Sequence, residues 1–190
     1  MNVAEAIKED QLIRENAAKR TFTNRPKFNY FKLEVNKGAK IRFLSEFNTG
    51  VSLWRHKLNE MPWYASCLRN DEYGSREDCP YCLSADPQSK RPKRYHFWQI
   101  YNYATERVEL LCFKNTSFTP FESLRVLNDE EGSLMERDFT IRRVPAPSPT
   151  GKGTASTYVA VPNGPSVFPI TGLEVPSRES IIEAQRPFEK

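Results

Sequence analysis

The sequence predicts a mainly β protein, a small barrel of short strands with one helix in its second half. Three observations carry that expectation. Segments of period-two alternation recur between turn residues, at 39–44, 51–56, 94–103, 107–113, 139–144 and 157–161. They do not alternate with helical patterns, which excludes a βαβ arrangement with its parallel sheet. Aromatic residues make up 12% of a chain that is only 38% hydrophobic, which places a folded, aromatic-rich middle between polar ends. At 190 residues the chain fits one domain with tails, not two full cores.

Each element has a local reason. Val3 to Lys19 holds no Gly or Pro and is rich in Ala, Glu, Lys and Arg, so residues 1–21 read as a helical, basic N-terminal segment. In Ala39 to Leu44, Ile41 and Phe43 share one face while Lys40 and Arg42 share the other. A turn at Asn48-Thr49-Gly50 leads into Val51 to His56. Arg94 to Tyr103 carries aromatics on both faces, and Arg107 to Phe113 follows after the turn at Ala104-Thr105-Glu106. Thr119-Pro120-Phe121-Glu122 has the letters of a capping box with Pro at the first helical position. The helix it starts should bury Phe121, Leu124 and Leu127 and end near Asn128. Two strands close the core, Phe139 to Val144 and Thr157 to Val161, with a long Pro-rich mobile loop expected between them. The core is expected over residues 22–170, and residues 171–190 read as a flexible tail.

Between Met61 and Pro92 the periodicity disappears, and a patternless stretch of that length inside a compact domain needs something else to hold it. Cys67, Cys79 and Cys82 lie there, and His56 stands at its entrance, so an insertion of about residues 54–93 carries four candidate ligands. The spacings of ten, eleven and two residues, with a Cys-x-x-Cys pair, suit a tetrahedral structural zinc ion (Zn2+). Metal binding would then supply folding energy that a missing hydrophobic core cannot. His96 or Cys112 offers an alternative fourth ligand, although both also read as core positions. Two enzyme readings fail on context. Cys79-Pro80-Tyr81-Cys82 has the letters of a glutaredoxin site, but no apolar strand precedes it and Pro87 follows too soon for the activating helix. A zinc deaminase needs His-x-Glu, and Lys57 and Leu58 follow His56. No catalytic constellation emerges, and a protein that is not an enzyme is expected.

Charge distribution says more than the net charge of +4. Lys19 to Arg42 contains eight basic residues and one acidic, Glu34. A second run, Lys90-Arg91-Pro92-Lys93-Arg94, passes straight into Tyr95-His96-Phe97-Trp98. Cations beside flat side chains suit a polyanion that carries stackable bases, which is single-stranded nucleic acid. Lys40, Arg42, Lys90, Arg91, Lys93 and Arg94 are the candidate phosphate contacts. Tyr95, Phe97, Trp98, Tyr101 and Tyr103 are the candidate stacking residues, since a barrel strand needs only one apolar face. Lys152 in the Pro-rich loop is a candidate to close over a bound strand. Met1 to Ala6 has no apolar signal region and no stretch is long enough to span a membrane, so a cytoplasmic protein with no membrane partner is expected.

On these residues the sequence resembles the phage single-stranded DNA-binding proteins, the helix-destabilising family. The likeness lies in His56, Cys67, Cys79 and Cys82, in Ile41-Arg42-Phe43-Leu44 before them and Arg94 to Tyr103 after them. It continues in Asp138-Phe139-Thr140-Ile141-Arg142-Arg143, which passes through a Gly-Lys-Gly loop into Thr157-Tyr158-Val159-Ala160-Val161-Pro162. The resemblance implies an OB-fold with an inserted zinc loop and sequence-independent binding of single-stranded DNA. It further implies protection of the strand and destabilisation of the duplex in phage replication, recombination or repair, within the host cytoplasm. It also implies self-association along DNA through a basic N-terminal segment, for which Ala17-Ala18-Lys19-Arg20-Thr21 is the nearest match, and contacts with replication or recombination proteins. The family's acidic C-terminal tail has no counterpart in Gln185 to Lys190. Two other readings compete: a zinc-ribbon-like adaptor that binds a polymerase or another protein, and a single-stranded RNA-binding protein.

Overall fold

The computed structural model describes residues 27–59, 64–70, 75–114, 119–147 and 154–185. Among them seven strands follow in chain order: β1 (Gly38–Phe43), β2 (Val51–Lys57), β3 (Tyr64–Ser66), β4 (Lys93–Asn102), β5 (Arg107–Lys114), β6 (Arg137–Pro147) and β7 (Thr154–Pro165). Two helices accompany them, α1 (Phe121–Glu131) and α2 (Arg178–Gln185). The sheet order is β3-β2-β4-β1-β6-β7, with β5 also paired to β4. The registers of β1 with β4 and β6, of β2 with β3, of β4 with β5 and of β6 with β7 are all antiparallel. The path does not return on itself, so the fold is mainly β and barrel-like without closing. Two compact units divide the chain. Among the described residues, a sheet unit comprises Phe28–Leu53 and Lys93–Arg178, and a cysteine-bearing unit comprises Trp54–Pro92 and residues 179–185.

In the sheet unit the alternation does what period two dictates. Ile41 and Phe43 of β1, Trp98 and Ile100 of β4, Leu111 and Phe113 of β5 and Phe139 and Ile141 of β6 turn inward to one core, with Leu124 of α1 against them. Register keeps them level, with Phe43 opposite Ile100, Trp98 opposite Leu111 and Ile41 opposite Phe139. Phe43 meets Phe139 edge-on at 5.3 Å between ring centroids, a favoured quadrupole geometry. Gly50, at the expected turn, is required for steric reasons. A Cβ there would sit 2.4 Å from Trp98 Nε1, whose N–H donates to the Phe47 carbonyl at 3.0 Å. The outer edge of β5 is covered by the irregular segment before β1. Phe31 N–H donates to Leu110 O and Leu110 N–H donates to Asn29 O, which removes an edge that would otherwise template further pairing.

Four expectations need correction or completion. Pro145, Ala146 and Pro147 of the expected Pro-rich loop belong to β6, which stays paired with β7 out to Pro147 opposite Thr154, and the rest of that loop lies outside the described residues. The prolines are tolerated for a geometric reason. Arg143 N–H points to the β1 side, where it bonds Lys37 O, so Pro145 and Pro147, of the same parity, direct their missing N–H groups away from β7. Secondly, α1 begins at Phe121 and runs to Glu131, three residues past the expected end, stopping at Gly132 with φ 85°. Thr119 Oγ1 donates back to the Lys114 carbonyl at 2.7 Å. Thirdly, residues 166–176 lie across the outer face of β1 and β4, as Arg42 donates to Ser166, Phe168 packs on Tyr101 and Gln99 Nε2 donates to Pro176 O. The expected tail also contains α2, in which Ile181 is fully buried. Fourthly, β3 is a three-residue strand in the stretch that showed no periodicity. The expected N-terminal helix and Lys152 lie outside the described residues.

Candidate metal centre

His56, Cys67, Cys79 and Cys82 come together, all buried, with one ligand atom from each lying within 4.8 Å of the others. The hairpin of β2 and β3 sets the first two. His56 pairs with Ala65, and Cys67 follows β3 directly, its N–H donating to the Trp54 carbonyl at 2.8 Å. Asn70 locks that turn, since its side chain accepts from Trp54 N–H and donates to Trp54 O, both at 2.8 Å. The second pair sits on a tight turn in which Leu83 N–H donates to Cys79 O at 3.1 Å. The resulting separations are 3.6 Å for Cys67 Sγ to Cys82 Sγ, 3.4 Å for Cys79 Sγ to His56 Nε2 and 3.7 Å for Cys82 Sγ to His56 Nε2. A tetrahedral ion bonded to sulfur at about 2.3 Å spaces its ligand atoms by about 3.8 Å, so the cluster fits. Disulfide bonding is absent among these cysteines, and a gap of 3.6 Å far exceeds the S–S bond of about 2.05 Å.

The imidazole is oriented by its other nitrogen. His56 Nδ1 lies 2.5 Å from Ser89 O, so it donates there and leaves the Nε2 lone pair aimed at the three sulfurs. Ser89 is itself held, because its hydroxyl donates to Asp86 Oδ2 at 2.6 Å and Asn59 Nδ2 donates to the same oxygen at 3.1 Å. Those contacts, led by the Ser89 hydroxyl, keep the Asp86 carboxyl below its usual range. Burial lowers the His56 pKa and pushes the Cys67 thiol up to about 12. Burial also raises Cys79, but N–H groups of Leu68, Cys82 and Tyr81 directed at its sulfur outweigh that and bring it down. Three buried cysteines whose thiolate forms are penalised by desolvation, beside a neutral imidazole, are a setting that a cation stabilises. These residues can hold a metal ion. Three sulfurs and a nitrogen fill a tetrahedron and leave no position for a reacting water.

The expected nucleic-acid contacts divide sharply. Lys90, Arg91, Lys93 and Arg94 are all exposed, with Arg94 Nε donating to Ser52 Oγ at 2.8 Å. Lys40 is half-exposed, lies 2.7 Å from Asp138 Oδ2 and stands over the Tyr103 ring at 4.6 Å. Arg42 does not face a phosphate. It is 1% exposed, 3.1 Å from Asp138 Oδ1, and donates to Met135 O at 2.9 Å. A buried arginine with no carboxylate would be too costly, so Asp138 fixes it in the fold. Among the aromatics Phe97 is 0%, Trp98 1%, Tyr101 5% and Tyr95 6% exposed, and these four are packed residues in this structure, not free stacking platforms. The expectation that one face of β4 is spare fails because both faces are covered, the inner by the core and the outer, at Gln99 and Tyr101, by residues 166–176. Tyr103 alone of the five is part-exposed. Its hydroxyl donates to Asp138 at 2.8 Å, and burial followed by that carboxylate pushes its pKa to about 12.

Lys37, part of the basic run Lys19 to Arg42, and Arg142 are not among the phosphate contacts expected from the sequence. They line a cleft of about 500 Å³ with Gly38, Lys40, Thr140 and Arg143. Strand parity was the available signal, since Lys40 and Arg142 fall on the face opposite Ile41 and Ile141. The partnering of β1 with β6 that juxtaposes them is not written in either strand. Comparison with protein-family models, curated proteins and solved structures finds no match to this chain.

Proposed function

We propose that this protein binds single-stranded DNA without doing chemistry on it, and that a structural zinc ion occupies the His56, Cys67, Cys79 and Cys82 cluster. One observation carries the reading. The carbonyl that orients His56 belongs to Ser89, the residue immediately before the exposed basic run Lys90, Arg91, Lys93 and Arg94. Metal binding would thereby hold Ser89 and the phosphate contacts Lys90 and Arg91 next to it, while Lys93 and Arg94 are fixed in the sheet unit as the first two residues of β4. The donor set of three cysteines and one histidine favours zinc, and its closed sphere suits a structural ion. Cations held on a fixed backbone neutralise phosphates with less ordering cost than a free tail would incur. Binding to exposed strands then shifts the duplex equilibrium toward melted DNA by mass action.

The test is fluorescence anisotropy with labelled oligo-dT and a duplex of equal length, at two salt concentrations. Extrinsic labels are preferable because Trp98 is a core residue and a poor reporter of a ligand. Tight, salt-sensitive binding of oligo-dT with weaker duplex binding supports the reading. Absence of binding by folded, zinc-loaded protein overturns it and puts the adaptor reading first. Equal or tighter binding of oligo-rU would move the assignment to single-stranded RNA.

A further inference from the structure

On the outer face of the sheet unit, β1 and β6 place their basic residues side by side. Gly38 is opposite Arg142 and Lys40 opposite Thr140, while Lys37 lies at the entry to β1. The cleft they line, about 500 Å³, includes Lys37, Lys40, Arg142 and Arg143 and no carboxylate. These cations are not equivalent. Arg143 is used by the fold, donating through Nε to Ser156 Oγ at 2.9 Å and through Nη1 to Leu33 O at 2.8 Å. Lys40 shares its charge with Asp138. Lys37 and Arg142 are exposed, and among the described residues neither side chain makes a hydrogen bond or ion pair. The floor is glycine, and Arg142 uses the space, since a Cβ on Gly38 would meet Arg142 Cγ at 3.1 Å.

Flanking residues show what kind of polyanion suits the cleft. Tyr103 N–H bonds Lys40 O, and Thr140 is opposite Val161, so a row runs from Tyr103, just past the end of β4, through Lys40, Thr140 and Val161 of the three neighbouring strands, about 14 Å in all. Val161 and Val159 are exposed, and Val159 is opposite Arg142. Cations in the middle with an aromatic ring on one side and apolar side chains on the other match a single strand, whose phosphates and bases are both accessible. A duplex keeps its base faces stacked on one another and offers such a surface only phosphates and groove edges.

We infer that this cleft is a phosphodiester-binding subsite for single-stranded nucleic acid, in which Lys37 and Arg142 contact the backbone. The inference rests on the single-strand reading above and adds to the Lys90–Arg94 run a second, separate contact. The experiment compares the full chain with its Lys37→Ala/Arg142→Ala variant, using labelled oligo-dT across a salt series and inorganic polyphosphate as a competitor. Loss of two phosphate contacts should weaken binding at low salt about tenfold or more and make the log affinity against log salt slope shallower by about 1.4. Arg142→Lys, which keeps the charge, should stay near the parent slope. An unchanged affinity and slope in the double variant, with the parent binding oligo-dT, overturns the subsite and leaves the single-strand reading in place. A parent that ignores oligo-dT but binds polyphosphate through Lys37 and Arg142 retains the phosphate site and rejects the single-strand reading. Binding of neither ligand rejects both.

Discussion

The two units hold their chain in opposite ways. The sheet unit buries a continuous apolar cluster in which aromatic rings from β1, β4 and β6 interlock. Among the described residues, the cysteine-bearing unit packs Cys67, Cys79 and Cys82 against only part-buried Trp54, Leu68 and Tyr81. Around its four candidate ligands lie polar turns instead, such as the Asn70 contacts with Trp54 and the Asp86 contacts with Ser89, and a metal ion would tie these into a knot. A hydrophobic core loses stability gradually as atoms are removed, whereas a ligand knot depends on all of its members at once. The two units should therefore respond differently to the same kind of insult.

The largest effect should come from breaking the knot. Apparent binding free energies of structural zinc reach about 10–16 kcal/mol in small metal domains, more than such a unit's own packing can replace. Chelation, or Cys79→Ser, should unfold the cysteine-bearing unit while the sheet unit stays ordered. Hydrogen exchange read peptide by peptide checks this, with amides of 64–92 losing protection and those of β1, β4 and β6 keeping it. Loss of protection in both units together would show that the sheet depends on the metal too. Next in size is the core. Phe139 is fully buried and meets Phe43 edge-on, so Phe139→Ala should cost about 3–5 kcal/mol in denaturant unfolding while leaving bound zinc per chain unchanged. Smaller still is the orienting contact outside the ligand sphere. Asp86→Ala frees Ser89 and should weaken metal affinity about 10- to 100-fold with little change in sheet-unit stability, measured by chelator competition.

The same contrast explains what could be read from the chain. Ligand chemistry is local in residue type and spacing, so His56, Cys67, Cys79 and Cys82 were legible as a group although 26 positions separate first from last. Strand positions were legible because Ile41 and Phe43 must share a face whatever lies opposite. The covering of that sheet was not legible. Nothing in Tyr101 tells that Phe168 packs on it, and nothing in Arg42 tells that Asp138 waits 96 positions later. Both are pairings between segments distant in sequence, decided by topology. For the same reason neither the covering of the β4 aromatics nor the juxtaposition of Lys37 with Arg142 is written in any one strand. Pro145 and Pro147 misled in another way, because proline forbids a strand only where its nitrogen must donate to a neighbour.

Acid should separate the two units by a smaller margin, through two histidines in different surroundings. His56 belongs to the His/Cys cluster, where acid would compete with a metal for the same donors. His96 belongs to the sheet unit, stacked on Phe121 at 4.3 Å and near Trp98, with its Nε2 buried and without a hydrogen-bond partner among the described residues. Burial, followed by the Arg94 charge, lowers its pKa to about 4. The unfolded chain takes up this proton near pH 6.5, so it binds more protons than the folded chain between about 6.5 and 4. Stability from a neutral His96 is thus full above that range and is lost as pH falls through it. Asp138 acts in the same direction at lower pH. Burial raises its pKa, but Lys40, Tyr103 and Arg42 outweigh that and hold it down, so its contribution fades only as pH drops below the unfolded carboxyl value of about 3.9. The window near pH 5 therefore belongs to His96 within the sheet unit. His96→Gln should lower the melting temperature modestly at pH 7.5, through lost stacking on Phe121, and flatten the decline between pH 6.5 and 4.5. A variant that keeps the parent's slope would place the acid sensitivity at the metal knot instead, and the sheet would then owe none of its pH dependence to its buried imidazole.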